Sequence, residues 1–369
     1  MSTCYILGAG VIGNKAYEVI QKNCESEILY CDNDVNKWGT IVNGCRVCAF
    51  DEMKKRYFEE ESFIFIASVY YQELYNQCVL NGLEVAGFFL ESTGKIVSYR
   101  EIVIENKKTY FNKEMIIYMN EKEKRVNKNI ARFLKGDKLS GCISEVAIML
   151  SNLCNYANIH KKCPASCINE KKIFPLREIK KIIDDLVKID FDGTLCFHIY
   201  NEPLIDPRLF WIVDYVREKL PMGKVLLYSN GYYINSVLKQ EIEDNNWADA
   251  ICLTGYGENE YIRLMNLGWK IPCSVLFGHL DNRINQYESN SKAENKQGCT
   301  RFFKQISIYA DGEIGLCCLD YLHPYGIGNV FDKSLIQCLD NDRVQKNIMD
   351  LLEGNRSQFS LCKNCGWNG

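Results

Sequence analysis

The 369-residue chain has no apolar run of the ~18 residues that a membrane-spanning helix needs. Its formal net charge is only -3, which leaves no electrostatic case for nucleic acid or an anionic membrane surface. The opening Met1-Ser2-Thr3-Cys4-Tyr5 has no basic stretch of the kind that begins a signal peptide. No internal repeat or low-complexity segment stands out. Together these absences predict a cytoplasmic globular protein of two or three domains.

Cysteine is what the chain has in excess, with 19. An odd number in a reducing compartment argues against a disulfide framework and for metal binding. Cys24, Cys78, Cys252 and Cys273 are scattered among apolar residues and read as small buried hydrophobes. The clustered cysteines carry the information.

Residues 1–92 read as a small α/β unit. A strand at Cys4–Leu7 runs into Gly8-Ala9-Gly10-Val11-Ile12-Gly13 and then a helix to about Asn23. Further strands are expected at Glu27–Cys31 and Ser62–Ala67, with a helix starting near Asp51 between them, so the sheet should be parallel. Residues 93–141, rich in Lys and Glu, read as a connector with a solvated helix or hairpin. Residues 142–295 hold a second strand–helix series, with strands at Glu145–Leu150, Thr194–Tyr200, Lys224–Tyr228, Ala250–Leu253 and Pro272–Phe277. Repeated βα units imply a partial or full barrel. Residues 296–369 are cysteine- and turn-rich, with a strand at Gln305–Tyr309.

Three constellations carry chemistry. Cys154, Cys163 and Cys167 lie on one loop between the first strand of the second series and a helix. Three thiolates can hold three irons of a [4Fe–4S] cluster and leave the fourth open. His160 and Cys142 are alternative ligands, and a structural zinc is the competing reading. Cys299, Cys317, Cys362 and Cys365 form a C-terminal set, with Cys318 beside Cys317 as a spare; a zinc ribbon competes here too. Alternation along Thr194–Tyr200 puts Cys196, His198 and Tyr200 on one side with Glu202, where His198 and Tyr200 are catalytic candidates. His198 is equally well read as a satisfied core histidine.

These residues resemble the radical S-adenosylmethionine (SAM) superfamily from about position 143 to the C-terminus. The spacing here, C-x8-C-x3-C, is longer than that family's usual C-x3-C-x2-C. The resemblance implies that SAM chelates the open iron. Tyr200-Asn201-Glu202-Pro203 is similar to the family's Gly-Gly-Glu-Pro, which implies that Asn201 and Glu202 bind the SAM ammonium. Tyr228-Ser229-Asn230-Gly231 is similar to its Thr-Asn-Gly, which implies that Ser229 and Asn230 lie near the SAM ribose. Arg283 matches an arginine found after a late barrel strand, where it contacts SAM or substrate or lies on the surface. The C-terminal set resembles the twitch domain, the short relative of the SPASM domain, and implies one auxiliary [4Fe–4S] cluster. Two [4Fe–4S] clusters are therefore expected, with flavodoxin or ferredoxin as electron donor.

The first unit adds a G-x-G-x-x-G loop at Gly8, Gly10 and Gly13, with Asp32 19 residues further on as a ribose-binding acid. It resembles small Rossmann-like domains on enzymes that modify nucleotide-linked sugars. That implies a nucleotide or nucleotide-sugar ligand, against a scaffold or dimerisation unit. The favoured activity is SAM-dependent radical dehydrogenation of a sugar or nucleotide-sugar, and a homodimer is left open. Its rivals are a radical SAM peptide maturase, an NAD-dependent dehydrogenase with structural zincs, and a non-catalytic binding protein.

Overall fold

The computed structural model describes residues 2–160, 163–164, 170–278, 296–321, 325–363 and 365. The chain divides into two compact units, Met1–Ile117 and Tyr118–Gly369.

The first unit is built on a sheet of order β3-β4-β2-β1-β5-β6-β7. Its strands are β1 (Thr3–Leu7), β2 (Glu27–Cys31), β3 (Ile41–Val42), β4 (Cys45–Cys48), β5 (Ser62–Ile66), β6 (Val85–Leu90) and β7 (Lys95–Val97). Helices α1 (Val11–Ile20), α2 (Phe50–Glu59) and α3 (Tyr71–Leu80) alternate with them. β1 is parallel to both β2 and β5, and its residues are buried throughout, as a strand covered on both faces requires. The segment expected to be a solvated connector instead belongs partly to this unit. β7 closes a hairpin on β6, and α4 (Tyr99–Glu105) buries Ile102 in the same apolar cluster as Tyr5, Phe88 and Ile116. Apolar residues spaced among the Lys and Glu decide this, and composition averages them away. Cys24 packs as a small hydrophobe, as read, against the apolar cluster that holds Cys4, Ile6 and Tyr30. A short strand β8 (Tyr110–Phe111) precedes α5 (Lys113–Leu134), which runs on into the second unit.

In the second unit five parallel strands follow in chain order: β9 (Glu145–Ile148), β10 (Thr194–Cys196), β11 (Lys224–Ser229), β12 (Ala250–Tyr256) and β13 (Cys273–Gly278). Between them lie α6 (Leu176–Lys188), α7 (Leu209–Lys219), α8 (Ser236–Asp244) and α9 (Glu258–Met265), giving the repeated βα units of a partial barrel. α6 shows why these segments are helices. Pro175 stands just before its first turn, and Ile179, Ile182, Ile183 and Leu186 fall at helical spacing on the buried face.

The C-terminal segment adds α10 (Arg301–Lys304), β14 (Ile306–Ile308), β15 (Ile314–Gly315), α11 (Leu335–Leu339), α12 (Asp342–Leu352) and α13 (Ser360–Lys363). β14 joins the sheet parallel to β9, with Ile306 opposite Val146 and Ile308 opposite Ile148. β15 turns back antiparallel to β14 and leads directly to Cys317.

Several expected strands are shorter than the sequence suggests, β10 most of all. β10 stops at Cys196 rather than Tyr200. The Asn201 side chain accepts the Ile199 N–H at 3.1 Å and donates to the Phe197 carbonyl at 3.0 Å. It thus takes backbone groups that a strand would give to its neighbours. Simple alternation therefore does not govern residues 197–201.

Candidate functional site

Three strand ends meet around Glu202, which is only 2% exposed. Its backbone N–H donates to the Leu153 carbonyl at 2.9 Å, next to Cys154. Its carboxylate accepts from Ser229 Oγ at 2.9 Å, the Asn230 N–H at 2.8 Å and the Leu204 N–H at 3.1 Å. Burial pushes the Glu202 carboxyl above its usual range, against the lowering effect of these three donors. An anion so desolvated suits a site that receives a cation. Asn230 also donates to Asn155 Oδ1 at 2.7 Å, which ties the end of β11 to the cysteine loop.

The cysteine loop is stitched at both ends. Asn152, not singled out from the sequence, accepts the Lys172 N–H at 3.0 Å and donates to the Glu170 carbonyl at 2.6 Å. Nothing in the spacing marks it, since its partners lie 18 and 20 residues away. Cys154 Sγ accepts the Tyr156 N–H at 3.4 Å. Cys163 is buried. His160 is buried edge-on to Tyr256, with ring centroids 4.9 Å apart. Cys167 and Arg283 lie outside the described residues.

His198 and Tyr200 differ in their surroundings. The His198 ring is half-buried and stacks on Tyr228 at 5.6 Å. Tyr200 is buried and donates its hydroxyl to the Cys318 carbonyl. Its ring stacks on Tyr309, whose own hydroxyl donates to the Cys317 carbonyl at 3.1 Å.

Among the described residues no group of three or more His, Cys, Asp or Glu side chains is closed up enough to hold a metal ion as it stands. The C-terminal thiols nonetheless share one neighbourhood. Cys317 feels Cys318 and Cys362, and Cys362 feels Cys299 and Cys365. Burial first, then these neighbours, push the Cys362 thiol up to about 12 and the Cys317 thiol well above its ordinary value. Half-buried thiols grouped in this way fit an iron–sulfur cluster, whose irons take up the thiolate charge. The first loop fits through Cys154 and Cys163, as far as it is described.

In the first unit the loop after β1 adjoins a cavity of about 500 Å³. Gly8, Gly10, Asp32, Lys37 and Ser68 are among its lining residues. Two of the motif glycines are demanded by the fold. Gly8 has φ +118°, and a Cβ on it would lie 2.5 Å from the Ala67 carbonyl oxygen. A Cβ on Gly13 would lie 1.9 Å from the Gly8 carbonyl oxygen. A Cβ on Gly10 would meet nothing within 4 Å, so the packing leaves that glycine unexplained. Asp32 accepts from the Ala9 N–H at 2.8 Å and from Lys37 Nζ at 2.8 Å. Burial acts to raise its pKa, but Lys37 and backbone N–H groups outweigh burial and hold it below its usual value.

The SPASM iron–sulfur cluster-binding domain matches residues 299–366. The S-adenosyl-L-methionine-dependent 2-deoxy-scyllo-inosamine dehydrogenase of Niallia circulans is 23% identical over 250 residues, 62% of this chain and 94% of that protein. The crystal structure of BtrN with AdoMet and 2-DOIA is similar over 61% of this chain and 93% of its own, with 22% identity and a TM-score of 0.49. UDP-D-quinovosamine 4-dehydrogenase from Vibrio fischeri is similar over 27% of this chain and 97% of its own, with 18% identity and a TM-score of 0.23.

Proposed function

We propose that the chain is a radical SAM iron–sulfur oxidoreductase with a SPASM-type C-terminal domain, and that it dehydrogenates an alcohol of a sugar or nucleotide-sugar. Two [4Fe–4S] clusters would serve the reaction, one on Cys154, Cys163 and Cys167, the other on Cys299, Cys317, Cys362 and Cys365. The observation that carries this reading is the convergence of Glu202, Ser229 and Asn230 on the loop of Cys154. The relative from Niallia circulans, named as a dehydrogenase, supports oxidation over peptide maturation.

The cofactors would supply a carbon-centred radical that takes a hydrogen atom from the substrate, and a second cluster that takes an electron. The chain's own residues bind, orient and exclude water. Glu202 accepts the SAM ammonium in place of bulk water, while Ser229 and Asn230 hold its carboxylate in one orientation. The Asn201 amide is spent on the backbone of residues 197 and 199, so it shapes this loop. His198, stacked on Tyr228, is the residue we assign to the substrate hydroxyl. Its imidazole can receive the proton released as the carbonyl forms. A nucleotide or nucleotide-sugar would occupy the first unit's cavity, with its ribose on Asp32 and its phosphates at Gly10 and the start of α1. Electrons for SAM cleavage would come from a flavodoxin or ferredoxin.

Anaerobic reconstitution with iron and sulfide tests the whole reading. We expect about eight irons per chain, a brown chromophore and 5′-deoxyadenosine from SAM on reduction. Two zincs, no iron and NADH binding would establish the NAD-dependent alternative instead.

A further inference from the structure

The C-terminal thiols are flanked by two arginines to which the scheme above gives no role. Arg301 begins α10, two residues after Cys299. Its Nη2 donates to Cys318 Sγ at 3.0 Å, and Cys317 and Tyr228 lie within its electrostatic reach. Arg356 is 1% exposed. It donates to the carbonyls of Gln297 at 2.8 Å, Gly298 at 3.1 Å and Cys365 at 3.4 Å, and its charge acts on Cys362. One guanidinium therefore stands at Cys317 and Cys318, the other at Cys362 and Cys365. Buried Asp320, which accepts the Leu316 N–H at 3.0 Å, is an acid on the Cys362 side.

Cys317 and Cys318 are adjacent in sequence but face different partners. Cys317 Sγ accepts the N–H two residues on, from Leu319, at 3.4 Å. Cys154 Sγ makes the same turn with Tyr156, also at 3.4 Å. Such an N–H suits a sulfur that carries the charge of an iron ligand. Cys317 also feels Cys362, whereas the Cys318 sulfur is in contact with the Arg301 guanidinium.

A cubane held by four thiolates is an anion, and reduction adds one more negative charge. A cation in a poorly solvated contact stabilises the reduced form more than the oxidised form, and so raises the reduction potential. Arg301 does not lose its charge at any accessible pH, so the effect is permanent.

We propose that Arg301, anchored on the Cys318 sulfur, raises the reduction potential of the auxiliary cluster so that it accepts the substrate's electron, and that Cys318 positions Arg301 rather than ligating iron. This rests on the reading that Cys299, Cys317, Cys362 and Cys365 hold that cluster. The electron leaves the substrate radical as its hydroxyl proton departs and a carbonyl forms, and the oxidised cluster is its acceptor.

The test uses the full chain with Cys154, Cys163 and Cys167 replaced by alanine, so that only the auxiliary cluster is loaded. Iron and sulfide are assayed, and the midpoint potential is read by an electron paramagnetic resonance titration. Arg301→Gln should keep its iron and shift to a more negative midpoint, and Arg301→Lys should shift less. Cys318→Ala should also keep its iron and shift in the same direction, while Cys317→Ala should lose its iron. An unchanged midpoint in iron-replete Arg301→Gln overturns the proposal. If that variant does not load, unchanged midpoints in Arg301→Lys and Cys318→Ala overturn it. Iron lost from Cys318→Ala but kept by Cys317→Ala overturns the ligand assignment. Absence of iron from the parent protein has a different signature, and it would remove the auxiliary cluster and this proposal together.

Discussion

The Tyr200 hydroxyl donates to the backbone carbonyl of Cys318, a residue 118 positions away. Tyr200 stands two residues before Glu202, and Cys318 belongs to the thiol-bearing segment after β15. This hydrogen bond and the ring contacts of Tyr200 with Tyr309 and Tyr321 thus tie the loop proposed to bind SAM to the segment proposed to hold the auxiliary cluster. Tyr200→Phe removes the hydrogen bond and leaves the ring stack on Tyr309 in place. The expected cost is about 1 kcal/mol of stability, read from anaerobic thermal unfolding. The yield of oxidised product per 5′-deoxyadenosine should fall, because the electron path loses its alignment.

Glu202→Gln is close in shape and removes the charge. SAM affinity should drop roughly 10- to 100-fold, the loss of a charge-assisted contact of about 1.5–3 kcal/mol, with iron content unchanged. Equilibrium binding to the oxidised protein measures it. A substitution that leaves affinity untouched would remove Glu202 from the SAM site.

Glu202 also sets a pH dependence. Burial raises its folded-state pKa above the unfolded value, so the folded chain holds the proton more tightly. Stability is therefore greatest below the unfolded value, falls as pH rises towards the folded one, and is level beyond it. SAM binding runs the other way, because the ammonium needs the carboxylate. Affinity should decline as pH drops through the raised pKa, and Glu202→Gln should abolish that decline. Binding isotherms across the acid range decide the point.

The motif glycines of the first unit separate scaffold from binding site. Gly13→Ala forces a Cβ onto the Gly8 carbonyl oxygen and should destabilise the unit by about 1–3 kcal/mol, as overpacking does. Gly10→Ala meets no atom within 4 Å and should fold normally. If phosphate lies against Gly10, that variant should lose the stabilisation that a uridine or adenosine diphosphate sugar gives the parent in thermal unfolding. Equal stabilisation of both would place phosphate elsewhere.

Cys154→Ala and Cys362→Ala should each lose about four of about eight irons, and the two losses should add in the double variant. Cys154→Ala should abolish 5′-deoxyadenosine formation, whereas Cys362→Ala should leave SAM cleavage and lose the oxidised product. Iron assay and product analysis separate the two sites.

The order of βα units, the G-x-G-x-x-G loop, the clustered cysteines and the strand-end words around Glu202 and Asn230 were legible in the chain itself. Each is a local pattern, carried by side-chain period or by spacing along a single loop. β2 falls at Glu27–Cys31 as read. Tertiary structure decided the rest. Composition could not show that α4 and β7 belong to the first unit's core, because that depends on which few apolar residues find a partner. Alternation could not foresee that Asn201 ends β10 by taking its backbone hydrogen bonds. Spacing put Cys317 in the ligand set, but a neighbour one residue away could take its place, so the sequence left Cys318 as a spare. Only folding, by bringing Arg301 to one sulfur and Cys362 towards the other, gives the two thiols different surroundings.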